Sequence, residues 1–374
     1  MTMFSGKRVL ITGVCGTVGS ELLRQLVTDS SRYAPAEVIG IDTNESALFF
    51  LDQAFLTDCR VNLAIADVRD LGSLVTRFDG VDIVFHTAAL KHVVLCERSP
   101  EQAIMTNIDG VQNVIAASQR AGAERVVFTS SDKAVNPTNV MGTSKLMGER
   151  LMTAANSNHQ PGGTIFTSTR FGNVLGSSGS VFPIFRAQIA NGGPVTLTHG
   201  QMTRFVMSIE ESVRLVIDSA SIACGGEVFV TKMPVVRIAD LATAMIEMFA
   251  PIDGHDPSAI RIEEIGTKPG EKLYEELMSD EETRRALELE RYFSVLPAFR
   301  GIYRDIDYCY DGIVNTVVSD PYVSTRQAAL SISAIKRLLS EYGLADATSD
   351  AVAERYFPGD KESQDVAGQL PTRP

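Results

Sequence analysis

The sequence lacks an excess of positive charge, and it lacks cysteines at metal-binding spacing. Its 46 acidic residues outnumber its 34 basic residues, which gives a formal net charge of −12. Because no basic run offsets this balance, we expect no nucleic-acid partner. The five cysteines form no CxxC pair and no other metal-ligand spacing. We therefore predict reduced thiols and no metal site.

The sequence also lacks a long apolar run. No stretch approaches the roughly 18 apolar residues that a membrane helix requires, and the chain passes from Gly6 into a predicted strand without the apolar region of a signal peptide. These absences predict a cytoplasmic protein with no membrane partner. With 374 residues and 44% hydrophobic content, the chain can form one large domain and a smaller lobe.

A glycine-rich turn lies between the first predicted strand, residues 8–12, and an amphipathic helix. Glycines allow the backbone to approach a pyrophosphate, and a helix N-terminus offers it free N–H groups. The spacing is GxxGxxG, and its position between a strand and a helix predicts a dinucleotide site. The candidate cofactor-binding residues in this turn are Gly13, Gly16, Thr17, Val18 and Gly19.

Asp42 ends the second predicted strand. A carboxylate at this position accepts hydrogen bonds from an adenosine ribose diol and repels a 2′-phosphate, so it predicts NAD rather than NADP. The alternative is that Asp42 caps the helix that begins near Glu45. The next two strands also end in small or polar residues, and we assign these to the cofactor as well: Asp67, Val68, Ala88, Ala89 and Lys91. Lys91 could also reach a substrate phosphate or sugar hydroxyl, although a surface lysine is the simpler alternative.

The predicted strand at residues 126–128 stops at small hydroxyl residues, which an acid and a base follow. After Thr129, Ser130, Ser131, Asp132 and Lys133 occupy four consecutive positions. In an open α/β sheet the carboxyl ends of the strands border the ligand crevice, so this stretch is a candidate catalytic site. A solvated turn followed by a helix cap is the alternative.

Met141 and Lys145 follow on a predicted helix from about residue 140 to 155. They are four residues apart and therefore share one helix face. Strands and helices alternate throughout residues 1–170, which predicts an α/β fold with a doubly wound parallel sheet of the Rossmann type.

The sequence changes character after residue 170. Residues 171–183 are rich in glycine and serine, which we interpret as backbone wrapped around a ligand. We predict a smaller α/β substrate lobe over 171–300, interleaved with the last sheet elements, then a helical segment over 301–344 and a flexible tail over 345–374. Arg204 and Lys268 are candidate clamps for a diphosphate.

With these pieces in place, the sequence resembles the extended short-chain dehydrogenase/reductase superfamily. Within it, the sequence is similar to nucleotide-sugar 4,6-dehydratases that act on UDP-N-acetylglucosamine in polysaccharide and nonulosonate biosynthesis, and most similar to their legionaminic-acid-type branch. The match is carried by TGVCGTVG at 12–19, AALKHV at 88–93, TN at 106–107, SDKA at 131–134, RFGNVLG at 170–176, MTRF at 202–205 and KPGEK at 268–272. Some members of that branch use a GDP-linked sugar, so the nucleotide stays open.

The resemblance implies a role for each reactive side chain. Lys133 would remove the C5 proton, Asp132 would protonate the leaving 6-hydroxyl, Ser131 would relay the 4-hydroxyl proton, and Lys145 would hold the nicotinamide ribose. As a base, Lys133 requires a lowered pKa, which we expect from desolvation beside other cations. The implied partners are a nucleotide sugar and further copies of the chain, as a homodimer or larger homo-oligomer. The substrate-binding candidates are Lys91, Met141, Asn173, Ser180, Val181, Arg204, Lys268 and Glu271.

The sequence departs from the superfamily at one position. Members usually carry Tyr-x-x-x-Lys, and Met141 occupies the tyrosine position here. A thioether cannot take a proton, so another group must deprotonate the sugar. A subset of these dehydratases shares the methionine, and the chain is therefore not expected to be inactive. A nucleotide-sugar 4-epimerase and a catalytically silent NAD-binding regulator are the alternatives.

Overall fold

The computed structural model describes residues 3–157, 162–177, 180–266, 271–299, 301–303 and 306–345. The strands are Arg8–Thr12 (β1), Glu37–Asp42 (β2), Val61–Ile65 (β3), Ile83–His86 (β4), Arg125–Ser131 (β5), Ile165–Phe171 (β6), Asn173–Val174 (β7), Val195–Leu197 (β8), Thr203–Met207 (β9), Val228–Thr231 (β10), Val235–Arg237 (β11), Ile262–Glu264 (β12), Glu276–Met278 (β13), Ala286–Leu289 (β14), Tyr292–Val295 (β15), Ile313–Asn315 (β16) and Tyr322–Val323 (β17). The predicted tail lies outside the described residues except for Ala345.

Helices connect most of the parallel strands. The α-helices are Thr17–Thr28 (α1), Glu45–Ala54 (α2), Leu71–Arg77 (α3), Val93–Arg98 (α4), Pro100–Ile104 (α5), Gly110–Ala121 (α6), Val140–Ala154 (α7), Val181–Ala190 (α8), Ile209–Ile222 (α9), Ile238–Phe249 (α10), Asp280–Thr283 (α11) and Ile332–Glu341 (α12). A π-helical turn, Met105–Asp109, joins α5 to α6.

The main sheet has ten strands in the order β16-β14-β15-β10-β6-β5-β4-β1-β2-β3. The seven strands from β10 to β3 are parallel, whereas β15, β14 and β16 extend the sheet in antiparallel pairing. The order 3-2-1-4-5-6 within the parallel part is that of a doubly wound dinucleotide-binding sheet. The predicted Rossmann-type fold is confirmed.

Both faces of this sheet are buried, which explains why its strands are continuous apolar runs. Successive residues of β1 point to opposite faces: Val9 and Ile11 pack in the core beneath α1 and α9, and Leu10 packs in the core beneath α3 and α6. The sheet is therefore held between two helical layers, and its carboxyl edge stays open for a site.

A smaller lobe lies beyond this edge. It contains a three-stranded sheet, β11-β9-β7, a two-stranded sheet, β12-β8, and an apolar core shared by α8, α10 and α12. Strands β10, β14 and β15 return to the main sheet, so residues 171–300 contribute to both lobes. The segment 301–344 contains β16 and β17 as well as α12.

None of the helices within the described ranges combines the length and the apolar character needed to cross a membrane.

Candidate active site

The carboxyl ends of β1, β2, β3 and β4 border a cavity of about 300 Å³. The structure brings most of the predicted cofactor residues to its wall. The lining residues among these candidates are Gly13, Gly16, Asp42, Asp67, Val68, Ala88 and Ala89. Four separate strands therefore contribute to one elongated cleft, as binding of a dinucleotide requires.

The glycine turn fits a dinucleotide phosphate. Gly13 has φ of +70°, and a side chain there would place Cβ 2.7 Å from the Ala88 backbone. Helix α1 begins at Thr17 after Gly16, with no side-chain cap and no acidic residue in its first turn. The first N–H groups of α1 and its partial positive charge are thus available to an anion. Val18 and Gly19 belong to this same turn.

Asp42 is oriented by backbone N–H groups. Its carboxylate accepts hydrogen bonds from Cys15 N and Asn44 N, both at 3.0 Å. The cap of α2 is Asn44, whose side chain accepts from Ala47 N, so the alternative that Asp42 caps this helix is wrong. Asp67 is paired with Arg69, whose hydrogen bonds lower the pKa of the Asp67 carboxyl.

Lys145 lies on α7 against the carboxyl end of β5 and does not line the first cavity. Its side chain is 7% exposed; Nζ donates to Thr129 O at 3.0 Å and lies 4.7 Å from the centre of the Phe128 ring. Burial lowers the pKa of Lys145 to about 8, against the opposing attraction of Glu149. The Lys145 amine can therefore exchange a proton near neutral pH.

Ser131 and Ser130 differ in their hydrogen bonding. Ser131 Oγ accepts from Lys133 N at 3.1 Å, which leaves its own hydroxyl hydrogen available. Ser130 Oγ is buried and has no hydrogen-bond partner among the described residues. The proton relay by Ser131 stays a prediction.

Asp132 and Lys133 form an ion pair in a second cavity of about 260 Å³. Lys133 Nζ donates to both carboxylate oxygens of Asp132 at 3.1 Å. Burial disfavours the charge on Lys133, but attraction by Asp132 and Glu275 outweighs it and raises the pKa of Lys133. The expectation of a lowered pKa is wrong, because carboxylates surround this amine more closely than cations do.

Arg204 lines this cavity and also a third one of about 300 Å³, whose lining includes Ser180 and Val181 at the start of α8. Arg204 Nε lies 3.2 Å from Glu275 Oε1, and Arg204 Nη2 lies 3.6 Å from Glu271 Oε1. Asn173, Arg204 and Glu271 line both cavities. The two spaces are thus adjacent, as a sugar and its linked nucleotide require. Lys268 lies outside the described residues.

Two substrate candidates do not line these three cavities. Lys91 is exposed in the loop after β4. Met141 is buried in an apolar cluster with Cys96 and Ala103. Its thioether therefore has the surroundings of a core residue.

Two residues of the site were absent from the candidates. Asn107, on the π-helical turn, donates to Leu90 O and Ser144 Oγ and accepts from Leu90 N, at 2.8 to 2.9 Å. The TN pair of the resemblance was the available signal for it. Glu275 lines the Asp132 cavity, and no motif pointed to it.

A family model for polysaccharide biosynthesis proteins matches residues 9–297. An uncharacterized membrane protein of Methanocaldococcus jannaschii is 44% identical, over 90% of this chain and 96% of that protein. The inverting UDP-N-acetylglucosamine 4,6-dehydratase of Campylobacter jejuni is 36% identical over 83% of this chain and 89% of that enzyme. The UDP-glucose 4-epimerase of Rickettsia prowazekii is 38% identical over 90% and 96%.

Solved structures agree with these relatives. Pen from Bacillus thuringiensis has a TM-score of 0.81 and 38% identity, covering 91% of this chain and 99% of that one. The dTDP-glucose 4,6-dehydratase DesIV from Streptomyces venezuelae, solved with NAD, has a TM-score of 0.62, covers 71% and 86%, and at 24% identity shows the fold alone. From the family match and the extent of these similarities, the chain belongs to the polysaccharide biosynthesis protein family.

Proposed function

We propose that this chain catalyses the NAD-dependent, redox-neutral 4,6-dehydration of a nucleotide-linked N-acetylglucosamine, with either UDP or GDP as the nucleotide. The chain is an enzyme of the nucleotide-sugar dehydratase and epimerase class, as its relatives are. The product would be a 4-keto-6-deoxy sugar. The observation that carries the proposal is the Asp132–Lys133 ion pair in the wall of the second cavity.

The cleft at β1 to β4 would hold NAD. The N-terminus of α1 would bind its pyrophosphate, Asp42 its adenosine ribose and Lys145 its nicotinamide ribose. When bound, NAD supplies hydride transfer from sugar C4 and back to C6, so the overall reaction needs no other oxidant. The buried Lys145 charge would also stabilise the C4 oxygen as its proton leaves through Ser131.

The Asp132–Lys133 pair would carry the three remaining proton transfers: C5 would lose a proton to Lys133, the 6-hydroxyl would gain one from Asp132, and C5 would regain one from Lys133 when C6 receives the hydride. A C5 hydrogen beside a C4 ketone is acidic enough for an amine to remove, and the departing 6-hydroxyl needs a proton from an acid. The catalytic form therefore requires a neutral Lys133 and a protonated Asp132. One proton transfer along the 3.1 Å contact converts the ion pair into that form.

The nearest alternative is 4-epimerisation, because relatives named UDP-glucose 4-epimerase have 37–38% identity to this chain. An epimerase removes no C5 proton and loses no 6-hydroxyl, so the reaction gives the Asp132–Lys133 pair no role. The presence of both residues at the cavity supports dehydration.

The deciding experiment incubates the purified chain with UDP- or GDP-N-acetylglucosamine in D₂O. Dehydration predicts loss of one water mass and deuterium at C5, observed by mass spectrometry and NMR. Unchanged mass with inversion at C4 would establish the epimerase instead. If the chain binds NAD but converts neither sugar nucleotide, the remaining interpretation would be a catalytically silent NAD-binding regulator.

We also propose a homodimer, formed through the helices that flank the site. Ile104, Met105 and Met147 are exposed apolar residues on this part of the surface. Sedimentation velocity would measure the oligomeric state. The substitution Met147→Lys should shift the chain toward the monomer. A monomeric wild-type chain would contradict the proposal.

A further inference from the structure

Glu275 is a buried carboxylate in the wall of the catalytic cavity. It directly precedes β13, its exposed fraction is 4%, and it lines the same cavity as Asp132, Lys133 and Arg204. None of the roles in the proposed reaction uses it.

The Glu275 side chain is held by donors from two strands of the smaller lobe. Oε1 accepts from Asn173 Nδ2 at 2.7 Å and lies 3.2 Å from Arg204 Nε, and Oε2 accepts from Phe205 N at 2.9 Å. Ser324 fixes its backbone through hydrogen bonds to Glu275 N and O, both 2.9 Å. Asn173 and Arg204, two residues that line the substrate cavities, therefore share one acceptor.

The charge on Glu275 acts on Lys133. Burial raises the pKa of Glu275 to about 7, and repulsion by Asp132 adds to this, whereas Arg204 and Lys133 oppose it. By the same attraction, a negative Glu275 favours the protonated form of Lys133. A buried anion costs free energy unless its surroundings compensate for it. The cations that compensate for the Glu275 charge are Arg204 and Lys133, and Lys133 is one of the proposed catalytic residues.

We propose that Glu275 is a positioning residue for the dehydration: its charge acts on the Lys133 ammonium beside Asp132, and its oxygens orient Asn173 and Arg204 toward the nucleotide sugar. This inference rests on the proposed function. The neutral form of Lys133 that removes the C5 proton becomes more accessible when Glu275 loses its charge. The same change leaves Asn173 and Arg204 without the carboxylate that they share. Glu275 thus links the protonation of Lys133 to the orientation of the two residues that line both substrate cavities.

The first test follows Lys133 without using activity. In the full-length chain labelled with [ε-13C]lysine, the Lys133 signal is assigned by its loss in Lys133→Arg and titrated by NMR. We expect a main inflection from Lys133 itself and a smaller one near pH 7 from Glu275. In Glu275→Gln the smaller inflection should vanish and the Lys133 pKa should fall by about one unit or more.

The matched control is Glu227→Gln. Glu227 is also a buried glutamate whose pKa burial raises to about 7, but it lies at the opposite edge of the sheet, where its carboxylate accepts from Cys224 N and Gly225 N. This variant should leave the Lys133 titration unchanged. An equal change in both variants, or none in Glu275→Gln, would overturn the inference. If Glu275→Gln does not fold, the wild-type titration still decides, because absence of the inflection near pH 7 contradicts the coupling.

The second test is the pH dependence of turnover in the D₂O assay. Glu275→Gln should lower kcat about tenfold or more and remove an inflection near pH 7, and Glu275→Asp should restore part of the profile. An equal loss at every pH would indicate a structural role only and overturn the inference. If the wild-type chain converts neither sugar nucleotide, the proposed function fails, and the NMR titration still judges Glu275 by itself.

Discussion

Two ionic clusters in the molecule use the same kinds of charged groups for different purposes. In the first, Arg170 is 1% exposed and donates four hydrogen bonds of 2.7 to 2.9 Å to Glu149 and Glu282, with a fifth to Leu277 O. We call it the closed cluster. The other joins Asp132, Lys133, Glu275 and Arg204 at the cavity, and we call it the open cluster.

The clusters differ in what their charges face. Every Arg170 donor group in the closed cluster meets a fixed acceptor, and this pairing outweighs burial and lowers the pKa of Glu282 to about 2. In the open cluster, Lys133 keeps 37% of its side chain exposed, and burial beside Asp132 raises the pKa of Glu275. In the closed cluster, complete pairing stabilises the charges. In the open cluster, exposure of Lys133 and repulsion between the carboxylates favour proton exchange.

The largest effect is expected from a substitution that breaks the open cluster. Lys133→Ala removes the C5 base, and we expect dehydration to fall about 10²- to 10⁴-fold while NAD and sugar nucleotide still bind. Single-turnover kinetics and calorimetry would measure these quantities. Lys232→Ala, which removes an equal charge from a surface pair with Glu288, is the control. Near-normal turnover by Lys133→Ala would refute its assignment.

The next largest effect is expected from a substitution that breaks the closed cluster. Arg170→Ala leaves two buried carboxylates without their cation, so the free energy of unfolding should fall by about 3–5 kcal/mol. Urea denaturation would measure it. Arg237→Ala, in an exposed pair with Asp240, should cost about 1 kcal/mol or less. A loss as small as the control's would mean that the closed cluster contributes little to stability.

The closed cluster also predicts a pH dependence of stability. Because the folded-state pKa of Glu282 is lowered from 4.5 to about 2, its contribution is fully present above pH 4.5 and is lost as the pH falls toward 2. The difference corresponds to about 3 kcal/mol. Unfolding free energies measured from pH 6 to pH 2 should show this slope, and Glu282→Gln should flatten it. An equal slope in the variant would assign the effect to other carboxylates.

The smallest effect sharpens the assignment of the relay in the open site. Ser131→Ala should slow sugar C4 oxidation by about tenfold, because the hydroxyl that passes the proton is gone. The nicotinamide absorbance in a single turnover would measure it. Ser130→Ala is the matched variant, since this neighbouring hydroxyl has no described partner. An unchanged rate in Ser131→Ala, or an equal loss in both, would point to a different relay.

The sequence was sufficient for the parts of the molecule that local patterns determine. The glycine turn, Asp42 and the strand before the reactive residues follow from contiguous residues, and the strand–helix alternation predicted the sheet. That strand was predicted over 126–128, and β5 extends it to Arg125–Ser131. Proton affinities depend instead on residues distant in the chain. Glu275 belongs to a Glu-Glu pair with the composition of a surface turn, and only folding brings it beside Asp132. For that reason, the predicted direction of the Lys133 pKa shift was wrong.

The π-helical turn at Met105–Asp109 has a mechanical consequence. Through Asn107 it ties both backbone groups of Leu90, in the loop that lines the first cavity, to Ser144 on the helix that carries Lys145. The loop that contains Leu90 and helix α7 are thereby joined through the Asn107 amide, and they should shift together. A shorter side chain at Asn107 would disturb the wall of the first cavity and the alignment of Lys145 in the same step.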